Sequence, residues 1–201
     1  MAQECDRERE LGDSELGVLH GIPISIKDQI YLKGTASNWC HSHNSHLAVE
    51  EDATLVKILM KAGAIPFVKS TTPLTSSLHT ESYLWGEAKH PRDSKRIIGG
   101  SSGGEAGLIS KQCSILGVGT DTAGSLRIPA SFCGLKTIYP TTKRMPSGKT
   151  GGDMGPDCKV AASLIKSTPG PMGRTVDDLE CFLRVAMSKE AYSIAKFNAP
   201  I

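Results

Sequence analysis

The chain has 201 residues, 39% of them hydrophobic and 22% charged, with a formal net charge of +2. That balance is that of one globular domain with a real core, and with no basic block beyond Lys95-Arg96 and Lys143-Arg144 nucleic acid is not an expected partner. No apolar run approaches the roughly 18 residues of a membrane span, and the polar, acidic opening MAQECDRERELGDSE reads as neither a signal nor a transit peptide, so the cytosol is the expected compartment.

Residues 1–20 read as a polar leader, flexible or helical, before a single domain over residues 21–201. In GIPISIK (Gly21 to Lys27), Ile22, Ile24 and Ile26 alternate with Pro23, Ser25 and Lys27, the period of a strand with proline at its start. Asp52 to Ala62 places Leu55, Val56, Ile58, Leu59 and Ala62 at helical spacing, with Gly63 as a stop. Ala64 to Lys69 reads as a second strand, which completes a β-α-β unit and favours a parallel pair in an α/β fold. A short helix is expected from Glu105 to Ser110 and a buried strand from Ser114 to Gly119. Residues 140–160 lack periodicity and read as a long surface excursion. Thr175 caps an amphipathic helix carrying Val176, Leu179, Phe182, Leu183 and Val185 to Met187.

The six cysteines, Cys5, Cys40, Cys113, Cys133, Cys158 and Cys181, show no CxxC pairing, which excludes a zinc ribbon and a thioredoxin motif. Cys113, Cys133 and Cys181 sit among apolar residues and read as small buried hydrophobes. The stretch from Cys40 to His46, with His41, His43 and His46, has the atoms of a zinc site but not the spacing of a known one, so no metal is expected there. Trp39 and Trp85 read as core or pocket wall.

Chemistry concentrates between Gly99 and Gly134. Gly99-Gly100-Ser101-Ser102-Gly103-Gly104 and Asp121-Thr122-Ala123-Gly124-Ser125 are two serine-bearing turns rich in small residues, separated by a helix and a strand. Glycines beside a serine let the backbone bend sharply and leave amide N–H groups uncovered, as a site holding a developing negative charge requires. The first turn matches G-x-S-x-G, but the nucleophile elbow places its histidine after the serine. Here His20, His41, His43, His46, His79 and His90 all precede Ser101, and that reading fails. No GxxxxGK[ST] phosphate loop is present either.

GIPISIKD, then GGSSGGE, then GTDTAGSLRIPASFCG, in that order, resembles the amidase signature family of serine amidases. Glu105 after the double serine, PASFCG and the downstream GPMGRTVDDL are most similar to fatty acid amide hydrolases, and the likeness runs from about Gly21 to Met187. The resemblance implies a mixed β-sheet covered by helices on both faces. It also implies a Ser–cis-Ser–Lys triad: Ser125 as nucleophile, Ser101 after a cis peptide bond from Gly100, and Lys27 as base. The backbone amides of Thr122, Ala123, Gly124 and Ser125 match the oxyanion hole, and Ser102 is the neighbour expected to keep Lys27 and Ser101 in register. Asp121 and Arg127 flank the nucleophile and are expected to brace its turn as an ion pair.

A serine needs something to take its proton, and Lys27 stands at the end of an apolar strand. Burial there disfavours the charged form, and bringing a lysine from about 10.4 toward 7–8 needs roughly 4 kcal/mol of differential desolvation. The implied sequence of steps runs from Ser125 through Ser101 to Lys27 as Ser125 attacks an amide carbonyl. Ser101 then returns a proton to the leaving amine, and water clears the acyl-enzyme. No cofactor is implied, and the partner is a small-molecule amide.

Two departures accompany the likeness: Ala123 stands where the family has glycine, and GLKTIYP replaces its usual GLKPT. Family members also continue well beyond residue 201, so a domain incomplete at both ends is expected, weak or inactive by itself. A homodimer or a peripheral membrane contact belongs to the longer form. The alternatives are an inactive remnant or binding subunit, and a glutamyl-tRNA amidotransferase A-like subunit, against which Glu105 argues.

Overall fold

In a computed structural model, residues 1–12, 16–42, 46–74, 77–150 and 167–195 are described. The alternation in GIPISIK becomes β1 (Pro23–Lys27), and the helical spacing that follows becomes α2 (Thr54–Lys61), which leads into β2 (Ile65–Ser70). As expected of a β-α-β unit, β1 and β2 pair in parallel, Pro23 opposite Ile65 and Lys27 opposite Ser70. Before them, α1 (Ala2–Glu10) buries none of its residues. After them, β3 (Glu81–Ser82) and β4 (Gly86–Glu87) form a small separate hairpin.

The glycine turn opens α3 (Gly103–Ser110), two residues earlier than expected, and β5 (Leu116–Asp121) follows. This strand starts and ends two residues later than the sequence predicts, because Cys113 and Ser114 complete the turn out of α3 and the partner strand holds the ladder as far as Asp121. Then come α4 (Arg127–Cys133), β6 (Lys136–Thr137), β7 (Thr168–Gly173), α5 (Val176–Ala186) and α6 (Lys189–Ala195). The cap predicted at Thr175 is present in full. Its hydroxyl accepts from the Asp178 amide at 3.1 Å, and the Asp178 carboxylate accepts from the Thr175 amide at 2.9 Å.

The five-stranded sheet runs β2-β1-β5-β7-β6. β1 is parallel to both neighbours, while β7 runs antiparallel to β5 and β6. The sequence does not announce β7, TPGPMG, because two prolines read as breakers. The Pro171 carbonyl accepts the Thr137 hydroxyl of β6 at 2.7 Å. Within a strand a residue's N–H and C=O point the same way, so Pro169 and Pro171 face β6 and the ladder to β5 loses nothing.

Period two gives the sheet two different faces. Ile24, Ile26, Leu116 and Val118 join Leu55, Leu59 and Phe182 in the main core, under α2, α5 and α6. Ser25, Lys27, Gly117 and Gly119 lie on the other face, under α3 and the Ser102 loop. A Cβ at Gly119 would lie 2.6 Å from Leu126 Cδ2 and 2.8 Å from Ser102 Oγ. The absent side chains on β5 therefore make the room into which the serine loop descends. A second cluster, including Ile98, Ala106, Ile109, Leu126, Ala130 and Met172, packs α3 and α4 on this side. Helices thus cover both faces, as expected.

Four expectations are corrected. Trp85 is not core but 74% exposed, at the tip of the β3–β4 hairpin beside Tyr83 at 98%. Cys113 is exposed, because the turn out of α3 carries it to the surface, and Cys181 is only half-buried. The excursion after Pro140 is not all surface: Met145 is buried in the main core and Thr150 is buried as well. Residues 151–160 of that stretch lie outside the described residues.

Candidate active site

Lys27, the last residue of β1, is completely buried. Its Nζ donates to Ser101 Oγ at 2.7 Å and to Thr120 Oγ1, near the end of β5, at 3.0 Å. Burial lowers its pKa from 10.5 to about 7, and the attraction of Glu105, Asp121 and Asp28 recovers only part of the loss. Desolvation is the larger effect, so a large fraction of this lysine is neutral near pH 7 and able to accept a proton.

The Gly100–Ser101 peptide bond is cis, as the resemblance implies. Thr72 Oγ1 donates to the Ser101 carbonyl at 3.1 Å and Thr80 Oγ1 to the Gly99 carbonyl at 2.7 Å, tying the turn to the segment before it. Ser102 does not bond Lys27 or the Ser101 hydroxyl. Its hydroxyl donates to the Thr120 carbonyl at 3.2 Å and accepts from the Thr120 amide at 3.4 Å. It acts on Lys27 only by fixing the residue that carries the second acceptor.

Ser125 is buried in the turn between β5 and α4. Asp121, fully buried, organises this turn by accepting from the amides of Gly124 at 2.7 Å, Leu126 at 3.0 Å and Arg127 at 3.3 Å. Arg127 closes on the same carboxylate through Nε and Nη2, both at 3.0 Å, and its guanidinium lies 4.7 Å from the Tyr139 ring centroid. Burial opposes ionisation of Asp121, but the Arg127 fork and the three amides outweigh it and hold the carboxyl below its usual value.

The structure brings the two serine turns together through the Ser102 amide, which donates to the Ser125 carbonyl at 3.1 Å. It places no hydrogen bond between the Ser101 and Ser125 hydroxyls among the described residues; such contacts commonly close only around substrate. Of the four amides expected at the oxyanion hole, that of Gly124 is already given to Asp121. Those of Thr122, Ala123 and Ser125 donate to no described residue. The Gly124 amide thus braces the turn.

Five participants escape the sequence reading: Thr120, Thr72 and Thr80 around the first serine turn, and Ser25 and Ser70, whose hydroxyls hold Glu105. Each is a plain hydroxyl residue whose partner lies far along the chain, and no local pattern marks it. The cysteine-histidine stretch does not assemble among the described residues. Cys40 is buried with Sγ 3.5 Å from Thr71 Oγ1, His41 and His46 are exposed, and His43 lies outside the described residues. The atoms best placed for a metal are instead those of Cys5, Glu8 and His20, within 4.8 Å of one another. His20 Nε2 is 3.0 Å from the Cys5 carbonyl and Nδ1 3.6 Å from Glu8. These lie on α1 and the loop before β1, not on an element carrying the serines.

Comparison with known proteins shows the family. The amidase family model matches residues 1–198, and the chain belongs to the amidase family. It is 36% identical over 195 residues to the acetamidase of Aspergillus oryzae, covering 96% of this chain and 34% of that protein. It is 37% identical over 187 residues to fatty-acid amide hydrolase 1 of Sus scrofa, covering 92% of this chain and 31% of that protein. A solved structure of a fatty acid amide hydrolase superposes with a TM-score of 0.83 at 29% identity, over 94% of this chain and 32% of the other. The chain spans about a third of the length of these relatives.

Proposed function

We propose that this chain carries the catalytic centre of a carboxylic-amide hydrolase working through an acyl-enzyme on Ser125. The observation that carries the reading is the buried Lys27 Nζ, 2.7 Å from Ser101 Oγ and pushed down to about 7 by burial. Neutral Lys27 accepts the Ser101 proton while Ser101 takes that of Ser125, whose oxygen attacks the amide carbon. The amides of Thr122, Ala123 and Ser125 receive the developing oxyanion. Ser101 then protonates the leaving amine, and water attacks the ester with the same relay reversed. A fatty acyl amide is the substrate class we favour, from the likeness to fatty-acid amide hydrolases in sequence and structure.

The test is a fluorophosphonate probe with the adduct located by peptide mass spectrometry. The adduct is expected on Ser125, with loss of labelling in Ser125→Ala. An adduct on Ser101 in the wild-type chain overturns the assignment.

A further inference from the structure

Three carboxylates act on Lys27: Glu105 from α3, Asp121 at the end of β5 and Asp28 just after β1. One of them is directly compensated. Asp121 is matched by the Arg127 fork. Asp28, half-buried, accepts from the Trp39 amide at 2.7 Å, and burial raises its pKa against the attraction of Lys69, whose Nζ donates at 2.6 Å to the Asp28 main-chain carbonyl and not to the carboxylate.

Glu105 differs. It is fully buried in the first turn of α3, and among the described residues no lysine, arginine or histidine touches its carboxylate. Its oxygens accept instead from two serine hydroxyls, Ser25 of β1 at 2.5 Å and Ser70 of β2. Ser25 lies two residues before Lys27 on the same face, and Ser70 is the residue paired with Lys27 across the sheet. The carboxylate is thus clamped by Lys27's own neighbours, while its helix begins on the Ser101–Ser102 turn. Neutral hydroxyls orient a charge without cancelling it, so what remains falls on the fully buried Lys27 and the half-buried Lys69.

Resting on the Ser125–Ser101–Lys27 reading above, we propose that Glu105 is a positioning residue for the base. Its carboxylate, held between β1 and β2, sets the pH at which Lys27 becomes neutral and with it the acidic limb of Ser125 acylation. An ionised Glu105 steadies the Lys27 ammonium and a protonated one releases it. Burial brings the carboxyl itself up to about 7, into the range in which Lys27 titrates. The proton count of the site is therefore shared between the two residues. A staple that merely held α3 on the sheet would leave that pH unmoved.

The experiment titrates the chain labelled with 13C at lysine Cε, the Lys27 signal being assigned by its loss in Lys27→Met. The pH dependence of fluorophosphonate labelling is followed in parallel. Glu105→Gln is expected to move the Lys27 midpoint down by about one pH unit or more, since an opposite charge at close range is removed. Ser70→Ala keeps the carboxyl but strips one donor from its charged form. It is expected to move the midpoint the same way by less, and it serves if Glu105→Gln does not fold. The labelling limb should follow. A Lys27 midpoint that stays in place or rises in these variants overturns the proposal. Absence of Ser125 labelling at every pH overturns the nucleophile reading alone, and the Lys27 midpoints still decide the role of Glu105.

Discussion

At Lys27, pH acts differently on the folded and unfolded chain. Unfolded, the lysine keeps its proton up to 10.5; folded, burial makes it give up the proton near 7. Between those values the unfolded chain binds the extra proton, so this residue's cost to the fold grows as pH falls from 10.5 and is complete below about 7. Lys27→Met, similar in length and without a charge to desolvate, should therefore stabilise the chain at pH 7 by about 1–3 kcal/mol. Denaturant unfolding should show that advantage shrinking as pH is raised toward 10, while labelling at Ser125 is lost. In the wild type, labelling should climb with pH through about 7 and then level, because only neutral Lys27 takes a proton. A limb centred well away from 7 would assign the base elsewhere. The sequence marked Lys27 as a strand-end residue whose burial would lower its pKa, but not which element buries it. Alternation puts it with Ser25 on the polar side, and only α3 descending on that side removes the water. Thr120 and Ser70 were invisible for a related reason: their hydroxyls gain a role only when β5 and β2 flank β1.

The elements show how little side chain this site tolerates. Glycines at 117 and 119 of β5 admit Glu105 and Ser102; a Cβ at Gly117 would lie 2.9 Å from Ile109 Cδ1 and 3.0 Å from Ser25 Oγ. Gly117→Ala should cost about 1–3 kcal/mol, read as a lower urea midpoint with an unchanged slope. The turn from Asp121 to Arg127 depends on one carboxylate holding three amides and a guanidinium. Asp121→Asn leaves Arg127 without its fork partner and gives one of those amides a donor where it had an acceptor. Labelling at Ser125 should fall about tenfold or more, since the oxyanion donors lose their aim. Full labelling in that variant would remove Asp121 from the account. Strands with regular alternation and helices with caps were legible in the sequence, because one face or one terminus marks each. β7 was not, because its prolines read as breaks until β5 and β6 show which of its N–H groups the sheet needs.

At the scale of the molecule, the described sheet is bounded by β2 and β6. The β2 edge carries Phe67, 49% exposed, and the β3–β4 hairpin presents Tyr83 and Trp85. A free edge with an aromatic side chain favours strand-to-strand association. Phe67→Lys should lower concentration-dependent light scattering without shifting the unfolding midpoint, because that side chain lies outside both cores. Unchanged scattering would place the contact elsewhere. No helix among the described residues is long and apolar enough to cross a membrane.

The two prolines of β7 limit what can pair beside it. Facing β6, they leave Gly173 as the sole strand residue on that side able to donate, and β6 accordingly pairs only at Gly173 and Met172. Any strand longer than β6 laid on that side of β7 would meet carbonyls with almost no matching hydrogens. Pro66 sets a like limit at the opposite margin: the Ile65 amide donates to Ile22, so Pro66 faces away from β1 and offers no hydrogen there. Like a zipper's stop, Pro169 and Pro171 end the pairing beside β7 by chemistry rather than by cover. Exchanging both for valine would reopen it.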